Sequence, residues 1–171
     1  RRRGAVRLER PGRGEGRAPA GLGYPGRGGE GARGLSEAQM EGQRKAEILS
    51  DPDRYVVPDP EIVMTLLDQR HAGKKLMLIT NSEWTYTRAM MAHAFDAVLP
   101  DGQGWKDLFD VIIVEARKPS YFADRNAAFE VVDEDAGTLR PVIGGLREDR
   151  VHLGGHAGLV EDYLGLSGDQ I

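Results

Sequence analysis

The stretch Lys-Leu-Met-Leu-Ile-Thr-Asn-Ser-Glu-Trp-Thr-Tyr-Thr-Arg (75–88) constrains this chain more than any other. Residues 76–79 are an unbroken apolar run, with charge before it and small hydroxyl and amide side chains after it. That is the pattern of a strand buried on both faces. A helix is predicted to follow almost at once, because Trp84, Thr87, Met91, Phe95 and Val98 recur at three- and four-residue steps and share one helical face. It is expected to begin near Ser82, with Asn81 or Ser82 capping its free amides and Glu83 at the positive end of its dipole. Thr80, Asn81 and Ser82 would then lie at the tip of a buried strand and the mouth of a helix, where an α/β protein holds an anion.

The same rhythm continues downstream. Asp-Val-Ile-Ile-Val (110–114) reads as a second buried strand, followed by Glu-Ala-Arg-Lys-Pro (115–119). Strand, helix, strand is a parallel unit whose right-handed crossover puts both strand ends on one edge of the sheet, so Thr80 and Lys118 are expected to face a common crevice. Phe129 to Val132 and Thr138-Leu139 flank an acidic turn, Asp133-Glu-Asp-Ala-Gly137, which predicts a small β-hairpin. Val151-His-Leu153 is a short third strand, leading through Gly154-Gly155 into a helix that Gly165 closes. Upstream, Ser36-Glu-Ala-Gln39 has the spacing of a capping box, and Asp59-Pro60-Glu61 opens a further helix ended by Gly73. Ile171 stands where another strand would start, so the sheet is expected to be incomplete.

Charge divides the chain into two parts. Residues 1–34 hold nine Arg against three Glu, a net +6, within a chain whose net charge is −4, which leaves −10 for the remainder. Eleven glycines and almost no large apolar side chains leave residues 1–34 too little surface to bury, and we expect this Arg/Gly-rich segment to be disordered. Such a composition can bind RNA through phosphate contacts and stacking, but Tyr24 stands alone as an aromatic, which disfavours nucleic acid as the partner. Residues 35–171 are expected to form one domain. The chain has no cysteine, which excludes disulfide and thiolate chemistry. No apolar run approaches a membrane span, and no signal core follows Arg1, so a cytoplasmic protein is expected.

A strand ending in Thr and a second, some forty residues on, ending in Arg-Lys-Pro supply two parts of a phosphoryl-transfer site. A hydroxyl with helix amides can bind phosphate oxygens, and an ammonium can neutralise charge on the transferring group. Ile-Thr-Asn-Ser-Glu-Trp-Thr-Tyr-Thr (79–87), Phe-Asp-Val-Ile-Ile-Val-Glu-Ala-Arg-Lys-Pro-Ser-Tyr-Phe (109–122) and Val-His-Leu-Gly-Gly (151–155) resemble the purine 5′-nucleotidase branch, the cytosolic IMP/GMP type, of the haloacid dehalogenase superfamily. The resemblance covers roughly residues 36–171. It implies a three-layer, Rossmann-like, mostly parallel α/β core and magnesium-dependent hydrolysis of a purine nucleoside 5′-monophosphate through an aspartyl-phosphate. By motif, Thr80 and Asn81 would bind the phosphate, and Lys118 would stabilise the phosphate and the intermediate.

Two further motifs of such enzymes have no counterpart here. Asp-x-Asp-x-Thr, the source of nucleophile and general acid, is expected upstream, but residues 36–75 contain no apolar strand ending in Asp. Asp133-Glu-Asp135 has the spacing but follows the lysine motif, and Gly137 stands where Thr belongs. Gly168-Asp169 resembles the magnesium motif, yet in the family that motif follows the next strand. We therefore expect a fragment with no metal ligands of its own and no turnover. The alternatives are a phosphate- or nucleotide-binding remnant that pairs with other subunits, or with a second copy, through an open sheet edge, and an RNA-binding Arg/Gly arm on an inert domain. His71, His93, His152 and His156 read as structural, because two histidines around Gly154-Gly155 fall short of a zinc site. Trp84, Tyr86 and Trp105 read as packing.

Overall fold

The computed structural model describes residues 27–170. Residues 1–26, most of the Arg/Gly segment, lie outside the described residues, as does Ile171. Contacts divide the chain into two units, residues 1–39 and 40–171, and the sheet lies wholly in the second.

Helix α1 spans Arg27–Ser50. It starts nine residues before the expected capping box, so Ser36 lies within the helix and the first eight helical residues belong to the Arg/Gly segment. Helix α2, Pro60–His71, begins as its sequence predicts. Pro60 is its first residue, the Asp59 side chain accepts from Glu61 N–H at 2.9 Å, and Gly73 follows in the left-handed region at φ 79°.

Strand β1 is Met77–Ile79, helix α3 Trp84–Met91 and strand β2 Val111–Val114. Helix α4 is Ser120–Ala123, strands β3 and β4 are Ala128–Asp133 and Thr138–Pro141, strand β5 is Val151–Gly154 and helix α5 is Ala157–Leu164. The sheet order is β1-β2-β5-β3-β4. β1, β2 and β5 pair in parallel; β3 runs against both β5 and β4, so four of the five strands share one direction. The expected α/β architecture and its hairpin are both present.

All four residues of β2 are buried, and their alternation assigns them to two cores. Ile112 and Val114 pack with Val63 of α2, Trp84 of α3, Trp105 and Leu108. Val111 and Ile113 pack with Tyr121 of α4, Leu146 and Val160 of α5. Helices therefore cover both faces of the sheet, giving three layers. Each such apolar side chain withdrawn from water stabilises the fold by about 1.5–3 kcal/mol.

β1 departs from its expected burial. All three of its residues are only half-buried, because β2 is its sole partner among the described residues. An apolar run records the chemistry of a strand and not the number of strands beside it. Beyond α3 the backbone widens into a π-helix over Ala92–Asp96, which carries Phe95 into the α2–α3 core. Among the described residues no helix is long and apolar enough to cross a membrane.

Candidate functional site

The parallel register of β1 and β2, with Ile79 opposite Ile113, sets the loops that follow them side by side. The ladder continues past the last strand residues. Thr80 N–H donates to the Ile113 carbonyl, Ala116 N–H to the Thr80 carbonyl and Glu115 N–H to the Ser82 carbonyl, each at 2.9 Å. Glu115 and Arg117 hold φ values of 48° and 60°, a left-handed conformation that non-glycine residues rarely adopt. Such geometry costs about 1–3 kcal/mol per residue and persists only where its surroundings impose it. The Lys118–Pro119 peptide bond is cis.

The expected meeting of the Thr80 and Lys118 loops is found. The Lys118 ammonium donates to the Ile79 carbonyl at 2.8 Å. Main-chain groups of Leu76 and Thr80 bond to the β2 side, so by strand alternation the Ile79 carbonyl points to the opposite, open flank of β1. Lys118 thus reaches over the strand end and lays its charge on that flank. A carbonyl satisfies one of the three ammonium donors. The side chain is exposed and has no carboxylate partner among the described residues.

The capping expectation is corrected. The N-cap of α3 is Glu83, and no side chain caps its amides. Asn81 is engaged elsewhere: its Oδ1 accepts from Lys118 N–H at 2.7 Å and its Nδ2 donates to the Lys118 carbonyl at 3.0 Å. The turn is closed instead by Thr80, whose Oγ1 accepts from Ser82 N–H at 3.1 Å. Glu83 does sit at the helix start, but it pairs with Lys45 at 2.8 Å. Burial works most strongly against the Glu83 carboxylate, but the Lys45 hydrogen bond, a backbone hydrogen bond and the Lys45 charge together outweigh it and hold its pKa below the usual range. What remains open at the strand ends is a cluster of donors: the Lys118 ammonium, the Thr80 hydroxyl hydrogen and the uncapped amides at the positive end of α3. Its chemistry is that of an anion cradle.

The other candidates behave as structural parts. Asp133 Oδ1 accepts from Asp135 N–H at 3.0 Å and Ala136 N–H at 2.8 Å, which ties the acidic cluster into a self-satisfied hairpin turn. Trp84 and Trp105 are buried with ring centroids 5.9 Å apart, Lys106 lies 5.1 Å over the Trp84 ring, and Lys45 lies 5.3 Å over that of Tyr86. Gly154 and Gly155, at φ 73° and 87°, lie so close to Ala127 and Ala128 that any side chain would meet atoms at 3.1–3.2 Å; the pair serves the β5–α5 turn. His71 Nδ1 is 3.1 Å from the Leu67 carbonyl, and His93 Nε2 is 3.3 Å from Asp53.

One polar group had no place in the sequence reading. Glu130, buried on β3, pairs with Arg140 of β4 and lies opposite His152 of β5. His152 is fully buried and its Nε2 accepts from Arg147 N–H at 3.3 Å. Burial pushes its pKa below 6.5. The available signal was the hairpin arithmetic, since a turn over residues 133–137 sets position 130 against 140.

The 5′ nucleotidase family matches residues 32–171. The 5′-nucleotidase domain-containing protein 2 of Homo sapiens is 30% identical over 133 residues, 78% of this chain and 24% of that protein. Its Rattus norvegicus counterpart is 30% identical over the same length, 78% of this chain and 22% of that protein. The chain therefore spans about a quarter of the length of the curated relatives it matches. On a match that takes in most of its length, this chain belongs to the 5′-nucleotidase family.

Proposed function

We propose that residues 79–82 and Lys118 form the phosphate-holding part of a 5′-nucleotidase site, and that the phosphate it receives is that of a purine nucleoside 5′-monophosphate. The observation that carries this reading is the Lys118 ammonium, held over the end of β1 with one carbonyl as its acceptor and no counter-ion among the described residues. An anion arriving there gains a charge-assisted bond from Lys118, worth about 1.5–3 kcal/mol, together with donors from Thr80 and the start of α3. These groups bind and orient. Charge that develops on phosphate oxygens is met by the same ammonium, so the cradle favours the transition state as well as the bound substrate.

Cleavage needs a nucleophile, which the family resemblance assigns to a strand-end aspartate absent from residues 36–75. Among the described residues no three His, Cys, Asp or Glu side chains converge on one point, and no residue is assigned here to the magnesium that the resemblance implies. No step of the proposal runs through a metal. In this proposal the chain by itself binds the phosphate of cytoplasmic nucleotide metabolism and does not turn it over. Titration of IMP or inorganic phosphate against the purified chain should give saturable shifts in the Thr80 and Ser82 amide signals, with affinity reduced in Thr80→Val and weakened at least tenfold in Lys118→Met. No binding, or binding indifferent to both changes, would overturn the site. Magnesium-dependent phosphate release from IMP that Lys118→Ala abolishes would overturn the inactivity.

A further inference from the structure

We propose that Asn81 is a positioning residue for Lys118. This rests on the phosphate-site reading above and assigns a role within it. A carboxamide offers an acceptor oxygen and an NH2 with two donor hydrogens. Both point at the same residue: Oδ1 takes the Lys118 N–H and Nδ2 gives to the Lys118 carbonyl. The pair of bonds fixes the residue's backbone from both sides, as a neighbouring strand would. With its backbone held, the Lys118 side chain reaches the Ile79 carbonyl, two residues before Asn81 on the same strand end. The result is a closed circuit: Asn81 grips the main chain of Lys118, and the tip of Lys118 returns to the main chain just before Asn81.

The need for such a grip follows from the loop. Arg117, immediately before the lysine, is held at positive φ, and both Arg117 and Lys118 are exposed, so no apolar packing locks them. Thr80 and Ser82 fasten the loop as far as Glu115 and Ala116, and the Arg117 carbonyl accepts from Ser120 Oγ and Tyr121 N–H. Asn81 extends that fastening to Lys118. A long flexible ammonium side chain carries about 2 kcal/mol of rotamer entropy, and fixing its root reduces what an anion must order on binding. What Asn81 has left for an anion is the second Nδ2 hydrogen and its backbone N–H, which makes no hydrogen bond among the described residues.

The test has a ligand-free arm and a phosphate arm. Without ligand, the carbonyl carbon of Ile79 reports the ammonium by NMR, and Lys118→Met defines its value when the ammonium is gone. Asn81→Ala should move that signal toward the Lys118→Met value and speed exchange of the Lys118 amide at least tenfold. Asn81→Asp, which keeps the acceptor, should retain the amide's protection. Unchanged Ile79 and Lys118 signals in Asn81→Ala would overturn the proposal, whether or not phosphate binds. In the phosphate arm, Asn81→Ala should weaken inorganic phosphate about tenfold in the parent chain and less than twofold in the Lys118→Met background. Equal losses in both backgrounds would make Asn81 a direct ligand or a general structural element and overturn its action through Lys118. If the parent binds no phosphate, the proposed function falls while the ligand-free arm still decides the grip.

Discussion

Two acidic or hydroxyl-rich turns in this chain look alike as sequence and differ in what they do with their hydrogen bonds. In the β3–β4 turn, Asp133 spends its carboxylate on two amides of its own turn, and Glu134 and Asp135 pair with Lys106 and Arg88. At the β1–β2 edge, Thr80 closes its turn but Lys118 is left with donors to spare, and α3 starts without a cap. The first turn is satisfied internally and gains nothing from a ligand. The second carries left-handed residues and open donors, a cost that an anion would repay. Reactive residue types mark a site less reliably than bonds left unmade.

The lysine loop follows directly from β2, and the largest effect should come from that strand. Ile113→Ala empties a fully buried position of β2 and should cost about 3 kcal/mol in urea unfolding. A loss below about 1 kcal/mol would mean that β2 is not the support on which that loop rests. Next, Lys118→Met should weaken phosphate at least tenfold while leaving the unfolding midpoint within about 0.5 kcal/mol of the parent, since the side chain is exposed. Asp133→Ala should do the reverse. It removes two turn bonds and should cost about 1 kcal/mol with no change in phosphate affinity; any loss of affinity would erase the distinction between the turns.

The smallest effect concerns pH. His152 has a folded pKa below 6.5, so the unfolded chain binds more protons as pH drops through 6.5, and stability should fall on acidification from there down to the folded pKa. Above pH 6.5 this contribution is fully present. Urea midpoints between pH 7.5 and 5 should show that slope in the parent and a flatter one in His152→Gln. Equal slopes would assign the pH dependence elsewhere.

The order of elements was legible because it rests on local signals. The apolar run of 111–114, the Asp59-Pro60 start, the Gly73 stop and the hairpin over 133–137 each announce themselves within a few residues. What sequence did not show is settled by neighbours in space. β1 and β2 read alike, yet β2 lies between two strands and β1 beside one. Asn81 has the composition of a cap, but Lys118, thirty-seven residues away, takes both its polar groups first. Glu130 and His152 lie on strands whose adjacency no local pattern encodes. The start of α1 at Arg27 passes over a capping box that reads well in isolation.

The pairing of Trp84 with Trp105 has an optical consequence. These are the only two tryptophans in the chain, both are buried, and Trp84 is the first residue of α3. All indole emission therefore arises from one close pair, of which Trp84 lies two residues beyond Ser82. The cradle carries its own fluorophore, and a shift of the α3 start on binding an anion would register as a change in intensity or colour without any label attached.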